Sequence, residues 1–68
     1  MINKNLLRAK IAESGYTQTT LCEMIGMGQN SLSAKMNGKS SFTLEQIDKI
    51  CDALNINDAE TKIKIFLP

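Results

Sequence analysis

Apolar residues recur along the chain at the three-and-four spacing of amphipathic helices, in five short stretches divided by glycine and asparagine. In the first, Leu7 and Ile11 stand four apart with Ala12 beside them, while Arg8, Lys10 and Glu13 turn away. This predicts a helix over about residues 5–14, with Asn3 or Asn5 as cap and Gly15 as stop. Tyr16 then precedes Thr17, an N-cap residue, and Leu21, Cys22 and Ile25 follow on one face of a second helix that ends at Gly26. Met27 is expected as an apolar plug beneath the turn. A third helix over residues 29–36 turns Leu32 and Met36 inward and stops at Asn37-Gly38. Phe42 is expected to pack on the core, and Thr43 with Gln46 forms a capping box ahead of Ile47, Ile50, Cys51 and Leu54. A last helix, from Asp58 to about residue 65, has Asn57 as expected cap with Glu60 as its box partner, and Ile63 and Phe66 inward. The alternation of Ile63, Ile65 and Leu67 also fits a strand.

The second and third stretches carry the functional signal. Between Thr17 and Gly38, two short amphipathic helices flank a glycine turn, the helix-turn-helix arrangement that lays its second helix in the DNA major groove. Outward on helix three stand Gln29, Asn30, Ser33 and Ala34, short and uncharged where a merely solvated helix would carry Lys and Glu. Gln and Asn hold a donor and an acceptor on one planar amide, which matches the adenine edge in the major groove.

Composition refines this picture more than it changes it. The 68 residues suit one small all-α domain with a modest core, residues 1–68 with the helix-turn-helix at 17–38. Eight basic residues nearly balance seven acidic ones, but the balance is uneven along the chain. Up to Phe42, Lys4, Arg8, Lys10, Lys35 and Lys39 outnumber Glu13 and Glu23. Beyond it, Glu45, Asp48, Asp52, Asp58 and Glu60 outnumber Lys49, Lys62 and Lys64. A molecule so divided can turn its basic half to phosphates. Cys22 and Cys51 sit in apolar patterns, and with no histidine in the chain they read as buried thiols of a reducing compartment, not as metal ligands. The chain lacks paired carboxylates in an apolar setting and a glycine-rich phosphate loop, so neither an enzyme nor a cofactor is expected. No apolar run approaches the ~18 residues of a membrane span, and the expected compartment is the cytoplasm.

Thr17-Gln18, Leu21, Gly26, Leu32 and Asn37-Gly38 together give the chain its family likeness: it resembles the phage repressor and Cro type of helix-turn-helix proteins, a lambda-repressor-like five-helix fold. Asn37-Gly38-Lys39 followed by Phe42-Thr43 and Ile47 is similar to short regulators from phages and prophages of Gram-positive bacteria. The resemblance implies operator DNA as partner. Gln18 would bond a phosphate oxygen and hold the start of the recognition helix. Gly28, Gln29 and Asn30 would lie nearest the base edges, and Ala34 would reach a thymine methyl. Ser31, Ser33, Lys35, Asn37 and Lys39 are the implied backbone contacts. Gly28 stands where the family usually caps with Ser or Thr, and Lys35 where many relatives are apolar, which leaves the contacts among Ser33, Ala34 and Lys35 open by one residue. A homodimer is expected, and the apolar stretch Ile63, Ile65, Phe66 and Leu67 is its candidate interface. A mixed complex with a partner phage repressor is the alternative role.

Overall fold

Four of the five helices begin where a side-chain oxygen covers a free N–H of the first turn. The computed structural model describes residues 2–68. Asn3 Oδ1 accepts from the Leu6 N–H at 3.1 Å to open α1 (Lys4–Glu13), and Thr17 Oγ1 accepts from the Thr20 N–H at 3.1 Å to open α2 (Gln18–Ile25). A third helix, α3 (Gln29–Met36), starts at Gly28 with no side-chain cap. The full capping box of Thr43 and Gln46 opens α4 (Leu44–Ala53), and Asp58 opens α5 (Ala59–Phe66). All described helices match the expected elements to within a residue or two, and residues 63–66 are helix, not strand.

The chain ends of these helices share one device. The N–H groups of Tyr16, Met27, Lys39 and Ile56 close back onto the carbonyls of Ile11, Cys22, Ala34 and Cys51 at 2.8 to 3.1 Å. Each is preceded by a residue with positive φ: Gly15, Gly26, Gly38 and Asn55. This is the Schellman closure, in which a left-handed residue lets the next N–H reach an otherwise free carbonyl.

One core receives a fully buried side chain from each helix: Leu7, Leu21, Leu32, Ile50 and Ile65. Ile11, Cys22, Ile25, Met36, Ile47, Cys51, Leu54 and Phe66 complete it, with Leu6, Tyr16, Met27 and Phe42 packed against its edge. The Phe42 and Phe66 rings meet edge to face, 5.5 Å apart and 82° between planes. The α2 helix lies between α3 and α4, while α1 packs on α5. Burial of Cys22 and Cys51 raises both thiol pKa values, so the thiols stay protonated and act as small apolar fillers.

Three expectations are corrected by this packing. Ile65, not Ile63, joins Phe66 inside, and Ile63 is half exposed at 51%. The inner face of α5 is set from outside the helix, by the Phe42 ring on Phe66 and by the Asn3 N–H, which donates to the Ile65 carbonyl at 2.8 Å. Ala12 is exposed, and Leu6 takes the place beside Leu7 and Ile11. Asp58, not Asn57, caps α5. Its carboxylate accepts both the Thr61 N–H at 2.8 Å and the Thr61 hydroxyl at 2.6 Å, and Glu60 pairs with Lys64 instead of reaching back. A charged acceptor with two donors outweighs the neutral amide one residue earlier.

Two outcomes follow from this arrangement. Replacing Ile65 by Ala should cost ~2–5 kcal/mol in urea unfolding, whereas Ile63→Ala should stay within about 0.5 kcal/mol; equal losses would contradict the assigned face of α5. The Thr61 hydroxyl and N–H hold the Asp58 carboxyl below its ordinary range. That contribution is present above the unfolded value of ~3.9 and is lost as pH falls through the lower folded value. Asp58→Asn, which keeps an acceptor but does not titrate, should flatten the acid side of a stability-against-pH curve.

Candidate nucleic-acid interface

Gly26 permits the sharp turn between α2 and α3. At φ 69° and ψ 35° its backbone is left-handed, a state that costs a side-chain-bearing residue but not glycine. Met27 then turns inward, half buried against the core, and Gly28 (φ −71°, ψ 152°) brings the chain back to helix. Clefts flank the turn on both sides. One is lined by Thr19, Cys22, Glu23 and Gln29 and the other by Ile25, Ser31, Gln46 and Lys49.

Buried Leu32 and Met36 anchor α3, and its first three residues and Ser33 are released from packing duty. Gly28, Gln29, Asn30, Ser31, Ser33, Asn37 and Lys39 are exposed, whereas Gln18, Ala34 and Lys35 are half buried. The sequence candidates therefore gather on and around one helix. Among the three residues left open by one register step, Ser33 is free on the surface, and the Lys35 ammonium folds onto the Ser41 carbonyl at 2.9 Å. A Cβ at Gly28 would meet nothing within 4 Å, and φ there is ordinary. Neither space inside the fold nor backbone strain demands glycine at that place.

The apolar interface candidates divide. Ile65 and Phe66 lie inside the chain's own core and are occupied there, while Ile63 and Leu67 are exposed at 51% and 71%. Leu44, not singled out from the sequence, is exposed at 79%. The capping box draws attention to Thr43 and Gln46, and it hides the fact that the first helical position between them faces water.

Charge is sorted around this face. Lys10, Lys49, Lys62 and Lys64 each lie within 4 Å of a carboxylate: Glu13, Glu45, Asp48 and Glu60. Lys4, Lys35 and Lys39 form no such pair among the described residues. Lys4, absent from the sequence candidates, puts its ammonium 3.2 Å from Asn37 Oδ1, at the C-terminal end of α3. Its signal in the sequence is its position, a cation at the first helical residue, where acidic residues are favoured.

Comparison with known proteins agrees with this geometry. The family model described as the Cro/C1-type HTH DNA-binding domain matches residues 6–60, well over half of the chain. The chain is also 37% identical over 57 residues to antitoxin PezA of Streptococcus pneumoniae serotype 4, covering 84% of this chain. It spans only 35% of that relative's length. No solved structure gives a significant match. By the extent of the family match, and by the two helices and glycine turn it covers, the chain belongs to the Cro/C1-type helix-turn-helix DNA-binding family.

Proposed function

We propose that the protein is a sequence-specific transcription regulator of the phage or prophage Cro and repressor kind, one domain that lays α3 in the major groove of operator DNA. The observation that carries this reading is the uncharged amide and hydroxyl face of α3: Gln29, Asn30, Ser31 and Ser33 all exposed, on a helix fixed from behind by Leu32 and Met36. Gln29 and Asn30 can each bond an adenine edge in bidentate fashion, and Ala34 offers a methyl to thymine. Gly28, which nothing inside the fold requires to be glycine, lets the nucleic acid approach the start of α3 closely. Gln18, Ser31, Ser33, Lys35, Asn37 and Lys39 hold the backbone and set the register without reading sequence. A homodimer doubles the contact of an eight-residue helix and selects half-sites about one helical turn apart. The cytoplasm is the compartment this role requires.

A second reading has its own support. Exposed Ile63 and Leu67, together with the likeness to a protein named as an antitoxin, favour a role through a protein partner, such as a mixed complex with a phage repressor.

Operator selection from a random DNA pool, followed by titration, tests the first reading. Gln29→Ala should lose ~1–3 kcal/mol on the selected site and nothing on random duplex; an equal loss on both would count against base reading. Light scattering of the chain mixed with the repressor encoded beside it tests the second. A mixed species that disappears on Ile63→Asp or Leu67→Asp is the expected result, and an unchanged profile removes that role.

A further inference from the structure

The four Schellman closures differ at one place. After the left-handed residue, the family of such turns usually packs an apolar side chain back on the helix, and α1, α2 and α4 do so with Tyr16, Met27 and Ile56, all partly buried on the core. At the end of α3 the equivalent residue is Lys39, which is exposed. Lys35, one turn earlier, bends onto the Ser41 carbonyl and holds the loop that Lys39 sits in.

Lys4 reaches the same corner from 33 residues away. The pull of a helix C-terminus on cations suits Lys35, Lys39 and the Lys4 ammonium alike, but it does not explain a lysine at the place in the chain where Lys4 stands. That residue opens α1, at the positive end of its own helix, with no acidic residue in the first turn to offset it. A cation there is unfavourable for α1. Its position is nevertheless well fixed. The Asn3 side chain caps the helix at the Leu6 N–H, the Asn3 N–H bonds the Ile65 carbonyl at 2.8 Å, and Ile2 packs against the core. Asn37 Oδ1 takes one of the three ammonium protons, which leaves two for an anion.

We propose that Lys4 is a DNA-phosphate contact delivered by α1, completing with Lys35 and Lys39 a cationic rim around the C-terminal end of the recognition helix. The proposal rests on the DNA-binding reading above. Eight residues of helix extend ~12 Å, about the width of the major groove. With the first turn of α3 at the base edges, its last turn and Asn37 come to the phosphate wall, and Lys4 with them. Lys4 orients Asn37 and supplies charge, but reads no base.

The test is the salt dependence of binding to a short random-sequence DNA duplex, so that no operator need be known. Lys4→Ala and Lys4→Gln should each reduce the slope of log affinity against log salt by ~0.9 per chain, one phosphate contact, with the thermal midpoint not lowered. Lys4→Arg should keep the wild-type slope. Lys64→Ala, which removes the same charge from the Glu60 pair, should also keep it. Because Gln retains a donor for Asn37 Oδ1, a wild-type slope in Lys4→Gln would overturn the phosphate role and leave only an orienting one. A slope reduced equally by Lys64→Ala would reduce the effect to net charge and overturn it as well. If the wild-type chain binds no duplex even at low salt, the DNA reading fails and the proposal with it; a wild-type chain that binds, with Lys4→Ala of equal slope, defeats the proposal alone.

Discussion

The meeting of five side chains, one from each helix, is the constraint on which the molecule depends. Leu7, Leu21, Leu32, Ile50 and Ile65 are closed off from water entirely, and no helix contributes two of them. Each such burial is worth ~1.5–3 kcal/mol, against a total stability of roughly 3–10 kcal/mol for a chain of this length. Isolated eight-residue and ten-residue helices are marginal in water. The angle between α2 and α3 therefore persists because Leu21 and Leu32 are held by the same knot that holds α1, α4 and α5. Gly26 permits the angle, and the core enforces it.

Anchoring α3 from within has a consequence for its outer surface. Two inward residues, Leu32 and Met36, do the packing, and the remaining positions are free to carry short amides and hydroxyls that stabilise nothing in the fold. No buried polar side chain is needed among the described residues to hold the domain together. Polar chemistry is thus confined to the surface, and on α3 it is concentrated away from the buried side of Leu32 and Met36.

Charge follows the same economy. The four carboxylate-paired lysines are exposed or half-buried, their pairs reach solvent, and such surface pairs contribute little, about 0–1 kcal/mol each. Their effect is electrostatic sorting. Lys49, Lys62 and Lys64, the cations of the acidic half, are all neutralised where they stand, and the Lys62 ammonium, bonded to Asp48 across α4 and α5, is pushed above its usual pKa. The cations that stay without a carboxylate within 4 Å among the described residues include Lys4, Lys35 and Lys39 around the end of α3. A chain that is nearly neutral in sum thereby keeps lysines without a carboxylate partner beside the C-terminal end of α3.

Most of what is governed by neighbours within four residues could be read directly from the chain. The exception is the Asp58 cap on Thr61, because Asn57 and Asp58 are both capping residues and spacing alone does not choose between them. The caps at Asn3, Thr17 and Thr43, the stops at Gly15, Gly26 and Gly38, and the inward pairs Leu7 with Ile11 and Leu32 with Met36 are local geometry, and so the helices and the turn between α2 and α3 were legible from spacing alone. The rest of what eluded that reading depends on residues farther apart. Ile65 displaced Ile63 from the core because Phe42 and Asn3 arrive from elsewhere to meet α5. Lys35 turned to Ser41, and Lys4 reached Asn37 across 33 residues, contacts that no helical period encodes. Local hydrogen bonds and periodicity decide where a helix starts, stops and which stripe is apolar, but only the packed core decides which side chains that stripe leaves in water and which distant charge stands beside them.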